Sequence, residues 1–383
     1  MKKEGTIKDA CIVIAGQSPQ GSSYNDVGKG MEFHQGKKAF GESIIEHSNV
    51  WTTEITKIAE PGDILMSVRA PVGPTNLTDR KICIGRGLAA IRCKSEIIPH
   101  YILYALRNIE NKIVGNDGAV FNSINKKQIE DLPLPLLPLS EQQAIVSRLD
   151  AAFARIDALK ANAEKQLDEA RALFQKALSQ AMEPKEGWEE KKIKDIAEVK
   201  GGKRVPKGYK LESVDTGHKY IRVSDFTDDG TIDLSNLLYI SEEVYKQIKN
   251  YTITDKNVYL SIAGTIGKAG IIPSSLNGSN LTENACKLVF TKPVEKRFIY
   301  LYTKSDAFKK QIDKATKQAS QPKLALTRLA EVIIYIPNID IQQQIVSRLD
   351  SLSEHVRELE EIQRKTIAEC DALKQAMLRE VFE

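Results

Sequence analysis

The sequence predicts an α/β (α+β) fold built as an internal pseudo-two-fold repeat: two similar globular modules, each followed by a long coiled-coil helix. Three observations lead there. The decapeptide EQQAIVSRLD at Glu141 returns as IQQQIVSRLD at Ile341, with eight of ten positions identical at an offset of 200 residues. Both copies continue with apolar residues stepping alternately by four and three, the seam of a coiled coil. The segments ahead of them carry short apolar runs bounded by Gly, Pro, Asn and Asp, as strands and turns do.

Taken in order, residues 1–139 form the first module. Ile12–Ile14, Ile64–Val68 and Leu88–Ile91 read as strands, and Pro99–Arg107 as a helix with proline in its first turn. Pro133, Pro135 and Pro138 forbid a helix interior or a central strand, so the run DLPLPLLPL is a stiff edge segment. Residues 140–182 follow as a helix, with Ser140 as N-cap and Gln143 at the capping-box position. Neither Gly nor Pro interrupts it until Pro184 and Gly187. The second module, 183–339, echoes the first: Ile7-Lys8-Asp9 recurs as Ile193-Lys194-Asp195, and ILMSVRAPVG from Ile64 as VYLSIAGTIG from Val258. Residues 340–383 form the second helix. The copies diverge most at Ser18–Ala39 against Lys203–Leu238 and at Pro74–Arg86 against Lys268–Asn284, where loops are expected.

At 1.5 Å per residue each helix is roughly 60 Å long. An apolar stripe of that length needs a partner, and duplication supplies one within the chain; a homodimeric coiled coil is the other solution. The expected packing residues are Ile145, Leu149, Ile156, Leu159 and Leu173 against Ile345, Leu349, Val356, Leu359 and Leu373.

Composition narrows the function. No apolar run approaches the ~18 residues of a membrane span. Five cysteines, an odd number with no CxxC pair, indicate a reducing, cytoplasmic setting and no structural zinc. The two modules are basic and the helices neutral or acidic, which suits a polyanion at the modules. There is no phosphate-binding GxxxxGK[ST] loop, no HExxH and no nucleophile elbow, so an active site of its own is the weaker class. Asp225, Asp228 and Asp229 lie close together, but Asp228-Asp229-Gly230 reads as a turn, a metal site being the alternative.

Polar loop residues fit nucleic acid better. The DNA-binding candidates of the first module are Gln35, Lys37, Lys38, Arg69, Arg86, Asn122 and Lys126. Those of the second are Lys203, Arg204, Arg222, Ser224, Thr265, Lys268, Lys317, Gln318, Gln321 and Lys323. Arginine and lysine bond guanine edges, asparagine and glutamine bond adenine, and lysine also neutralises phosphates.

The twofold occurrence of a module, an exit strand and EQQxIVxRLD resembles the specificity subunit of type I restriction–modification systems. So do the segments PGDILMSVRAPVG and YIRVSDFTDDG. The second exit departs from the pattern, with Ile341 in place of Glu141 and no LPLP prolines. The resemblance implies two target recognition domains separated by two antiparallel helices that act as a ruler, each domain reading half of a split site on double-stranded DNA. It implies two modification (methyltransferase) subunits as partners, methylating adenine N6 with S-adenosylmethionine that they bind themselves. Restriction subunits using ATP and Mg would translocate and cleave. This chain would carry no cofactor, no metal and no chemistry of its own. A coiled-coil scaffold binding proteins, with no DNA role, is the alternative.

Overall fold

In the computed structural model, which describes residues 3–113, 123–316 and 322–383, the chain divides into two units. One comprises residues 1–165 with 363–383, the other residues 166–362.

In the first unit a four-stranded antiparallel sheet runs in the order Cys11–Ala15, Leu88–Cys93, Ile64–Ser67, Thr75–Leu77. Ile64, Leu65 and Met66 are all buried, because both faces of their strand are covered. One face packs on helix α1 (Pro99–Ile109), whose proline stands at its start, through Tyr101, Ile102 and Leu106. A second sheet holds Met31–His34 parallel to Ile82–Ile84. Lys3–Thr6 pairs with Pro133–Leu136 as an isolated two-stranded ribbon. A ribbon with free edges accommodates prolines, which cannot donate to a ladder.

The second unit repeats this plan. Its sheet runs Ala197–Gly201, Ala285–Phe290, Val258–Ser261, Ala269–Gly270, all antiparallel. A second sheet holds Lys219–Ile221 parallel to Ser279–Leu281, and Glu189–Lys192 pairs with Ile333–Ile336. The repeated Ile-Lys-Asp is one turn of helix in each copy. Asp9 accepts the Thr6 N–H at 2.8 Å and Asp195 the Lys192 N–H at 2.8 Å, satisfying an amide that a helix start leaves open.

The long helices are α2 (Leu139–Ala181) and α4 (Ile339–Phe382), with α3 (Lys296–Thr303) between them standing where α1 stands in the first copy. Within each unit they run antiparallel. In the first, Lys160 Nζ reaches Asp371 at 2.8 Å and Lys374 pairs with Asp157. In the second, Arg171 Nε reaches Glu360 at 2.8 Å.

The seam corrects three of the expected packing residues. Leu159, Leu173 and Leu373 are 51, 58 and 51% exposed. Leu149, Ile156 and Leu349 are buried, while Ile145, Ile345, Val356 and Leu359 are half-buried. A step of four from Ile156 lands on Lys160, and the equivalent step from Cys370 lands on Lys374. Passing over these lysines for the adjacent leucines shifts the seam off its face. The lysines lie in it by their aliphatic stems, with each ammonium carried out to a carboxylate of the other helix.

The repeated motif docks each helix on its own module. Gln142, 1% exposed, accepts the Ile98 N–H at 2.9 Å at the start of α1 and donates to Leu137 O at 2.9 Å and Glu96 O at 3.3 Å. Gln342, also 1% exposed, accepts the Glu295 N–H at 2.9 Å at the start of α3 and donates to Pro337 O at 2.8 Å. The motif's aspartates follow suit: Asp150 accepts from the Tyr104 hydroxyl at 2.5 Å, and Asp350 holds Arg297 at 2.8 Å.

Candidate nucleic-acid interface

In the first module the chain beyond Ala15 runs across the end of the main sheet. Gly16 N–H donates to Leu88 O and Gln17 N–H to Ile84 O, both at 3.0 Å. The turn Gly85-Arg86-Gly87 is tied to the second sheet, Gly85 N–H to His34 O at 2.8 Å and Gly87 N–H to Gln35 O at 3.1 Å. Val68 N–H reaches Gly87 O at 3.0 Å, Ile124 N–H reaches Val68 O at 3.1 Å, and Arg69 bridges Ser123. This backbone frame gathers Gln17, Ser18, Gln35, Arg86, Arg69 and Ser123 on one rim. Gln17, Gln35, Arg69 and Arg86 are exposed. Glycine is required by close approach: a Cβ on Gly16 would lie 2.2 Å from Gly85 O, and one on Gly87 2.2 Å from Gln35 O.

The same frame recurs in the second module. Gly202 N–H donates to Ala285 O at 2.9 Å, Lys203 N–H to Leu281 O at 2.8 Å and Thr282 N–H to Ile221 O at 3.0 Å. Ile262 N–H reaches Asn284 O at 2.8 Å, Leu324 N–H reaches Ile262 O at 2.9 Å, and Ala263 bridges Lys323. Residues in matching bonds are equivalent. Gln17 corresponds to Lys203, Ser18 to Arg204, Gln35 to Arg222, Arg86 to Glu283, Arg69 to Ala263 and Ser123 to Lys323.

The side chains on the two frames differ. Arg86 and Arg69 have no side-chain hydrogen bond or ion pair among the described residues. Gln35 Oε1 accepts the Ser18 hydroxyl at 3.1 Å, and Ser18 Oγ accepts the Arg86 N–H at 3.2 Å. In the second module Arg204 Nε donates to Glu283 Oε1 at 2.6 Å, and the Arg204 side chain is 78% exposed against 23% for Glu283. Burial alone would raise the Glu283 pKa. The Arg204 guanidinium, with the Glu283 N–H and the Thr282 hydroxyl, outweighs it and holds the carboxyl below its usual range. Arg222 is gripped by Asp225, Nη2 to Oδ1 at 2.6 Å, and donates to Asn236 O at 3.0 Å. That ties it into its own module. Lys203 Nζ lies 5.6 Å from the centre of the Tyr251 ring, and Lys323 is exposed.

Other candidates stand outside this frame. Lys37 and Lys38 are exposed on a single 3₁₀ turn. Lys126 pairs with Glu130 at 3.5 Å. The Ser224 hydroxyl donates to Asp225 at 3.2 Å, and Lys268 pairs with Asp228 at 2.8 Å. Thr265 is exposed, its carbonyl accepting from Ser261. Asn122, Lys317, Gln318 and Gln321 lie outside the described residues. Asp225 and Asp228 hold cations of the chain; Asp225 ends a 3₁₀ helix, Val223–Asp225, and Asp228 and Asp229 form a turn before Gly230. Among the described residues no group of three or more His, Cys, Asp or Glu side chains is placed to hold a metal, and no helix is long and apolar enough to cross a membrane.

Sequence reasoning missed Gln17, Ser18, Ser123 and Glu283. They become visible only when the two copies are aligned by hydrogen bond. It also missed the buried Glu32, which braces the strand leading to Gln35. Glu32 receives Arg80 Nε and Nη2 at 2.8 Å each, the Ser48 N–H at 2.7 Å and His34 Nε2 at 2.8 Å. Burial alone would raise its pKa; those bonds hold it far below the usual carboxylate range. Burial keeps the His34 pKa low against the pull of Glu32.

Comparison with known proteins bears on this arrangement. The type I restriction modification DNA specificity domain matches residues 2–169 and again 185–369. A putative type I restriction enzyme MjaX specificity subunit of Methanocaldococcus jannaschii is 43% identical over 162 residues, 42% of this chain and 37% of that one. The type I restriction enzyme EcoBI specificity subunit of Escherichia coli is 24% identical over 311 residues, 74% of this chain and 64% of that one. The chain thus spans less than two thirds of the length of either relative. Among solved structures, a chain from work on complex assembly and conformational transition of the type I R-M system superposes with a TM-score of 0.79. It is 16% identical, covering 100% of this chain and 97% of that one. The HsdS subunit from Thermoanaerobacter tengcongensis gives 0.57 at 16% identity, covering 99% and 96%. At such identity the superpositions speak for the fold. With the domain matched twice over most of its length, the chain belongs to the type I restriction modification DNA specificity family.

Proposed function

We propose that the chain recognises double-stranded DNA at a bipartite, asymmetric target, one half-site per module, and performs no catalysis itself. The observation that supports this best is the shared rim: one backbone frame, built twice, carries Gln17, Gln35, Arg69 and Arg86 in one copy and Lys203, Arg204 and Lys323 in the other. Cations and amides on exposed loops over a rigid sheet suit base edges and phosphates. Two frames with different side chains suit two different half-sites.

In this reading residues 1–139 and 183–339 are the recognition modules, and residues 140–182 and 340–383 are the helices that set the spacer. Helices of 43 and 44 residues reach about 65 Å at 1.5 Å per residue. That limits the gap to under about 19 base pairs at ~3.4 Å per step. Two modification subunits would dock on the helix pair, bringing S-adenosylmethionine, and restriction subunits would bring ATP-dependent cleavage.

The test is selection from a pool of duplexes by the full chain with its modification partner, at several salt concentrations. A split preference, with affinity falling as salt rises, is expected. Equal binding of all duplexes would refute it. Exchanging residues 1–139 for another module should alter one half-site only.

A further inference from the structure

We propose that Arg204, held from behind by Glu283, is the guanine-reading residue of the second module and the counterpart of Arg86 in the first. The proposal rests on the DNA-recognition reading above and assigns its chemistry to one position.

The argument starts from equivalence. Matching hydrogen bonds put Glu283 where the first module has Arg86, and Arg204 where it has Ser18. Position by position, the second module has lost an arginine and gained a carboxylate. In space it has kept the arginine, because Ser18 and Arg86 touch each other, as Arg204 and Glu283 do. The guanidinium is supplied from the other side of the same contact. A second place behaves alike: Arg69 bridges Ser123 in one module, and Ala263 bridges Lys323 in the other. At both places each module keeps one exposed cation while its source moves between neighbouring segments.

Chemistry separates the two places. In the second module Lys323 has no acidic partner among the described residues, which suits phosphate neutralisation. Arg204 has a carboxylate 2.6 Å from its Nε. That carboxylate cancels much of the charge a phosphate would seek and repels the phosphate itself. It does fix the plane of the guanidinium, so less side-chain freedom is lost on binding. Nη1 and Nη2 have no partner among the described residues, and two parallel N–H donors match O6 and N7 of guanine. The other Glu283 oxygen is held by the Thr282 hydroxyl at 3.0 Å. Glu283 is therefore a positioning residue and Arg204 the reader.

The test uses the full chain with its modification partner and the duplex it selects best, together with duplexes changed at single positions. Arg204→Ala should weaken binding to the selected duplex by about tenfold or more. It should also abolish one G·C preference in the half-site read by the second module, leaving the other half-site unchanged. Arg204→Lys, which keeps the charge without the fork, should lose the same preference while holding its affinity for unrelated DNA. Glu283→Gln should blur that preference with equal or tighter binding to unrelated DNA, whereas a purely structural role would weaken all duplexes alike. Lys323→Ala should leave every preference intact and reduce the salt slope by about one. If Arg204→Ala lowers affinity uniformly and keeps every base preference, Arg204 is a phosphate contact and the proposal fails while DNA recognition stands. If the unaltered chain shows no base preference, both fall.

Discussion

Substituting Gln142 by alanine removes three hydrogen bonds, to Ile98 N–H at 2.9 Å, Leu137 O at 2.9 Å and Glu96 O at 3.3 Å. Each contributes about 1 kcal/mol net, and a partly buried amide left unpaired costs about 1 kcal/mol more. The longest bond contributes least, so the expected loss is about 2–4 kcal/mol. Gln342→Ala removes two short bonds and should cost about 2–3 kcal/mol. The adjacent Gln143 and Gln343 are exposed, and their alanine variants should stay within about 0.5 kcal/mol of the parent. Denaturant unfolding of the full chain measures the sizes, and amide exchange locates them. Gln142→Ala should deprotect Ile98 without affecting Glu295, and Gln342→Ala should do the reverse. The reasoning is refuted if Gln142→Ala and Gln143→Ala are indistinguishable in both measurements.

Lys160→Ala should lower the unfolding midpoint more than Leu159→Ala, reversing the order of hydrophobicity, because Lys160 lies in the seam and Leu159 outside it; equal midpoints would count against the corrected seam. Gly87→Ala forces a Cβ to within 2.2 Å of Gln35 O and should degrade base preference in the first module's half-site only, read by duplex selection. Acid should loosen the first unit. Burial holds the His34 pKa below its ordinary 6.5, so the unfolded chain binds that proton more readily. Its contribution is complete above pH 6.5 and is lost as pH falls from there through the lower pKa of the folded state. Glu32, held far below its ordinary 4.5 by Arg80, Ser48 and His34 against the opposing effect of burial, contributes stability that is present above 4.5 and lost at lower pH. Thermal unfolding at about pH 7.5 and about pH 5.5 should show a fall in midpoint that His34→Gln reduces; an unchanged fall would refute the assignment.

The long helices and the doubled plan were legible because both rest on periodicity and repetition, which the chain displays openly. The seam was misjudged at Lys160 and Lys374, since a charge read as a surface residue conceals an apolar stem. The motif itself was visible, but its role was not: Gln142 and Gln342 reach backbone groups more than 40 residues away. At the rim, Arg69, Arg86, Arg204 and Lys323 were singled out by type. Type alone could not separate Arg204, steadied by Glu283, from Arg222, tied to Asp225. Glu283 escaped notice because a carboxylate argues against DNA until its partner is known.

A rim assembled from amide-to-carbonyl links constrains its side chains little, provided Gly16 and its equivalent Gly202 keep the backbones close. Mutational drift at positions 17, 18, 35 and 86 can then rewrite the surface with little risk to folding. A family of such chains would diversify fastest where its members are most alike in three dimensions. Column-wise alignment would mistake a relocated arginine for a vanished one, so inventories of relatives should be compiled over superposed contacts instead.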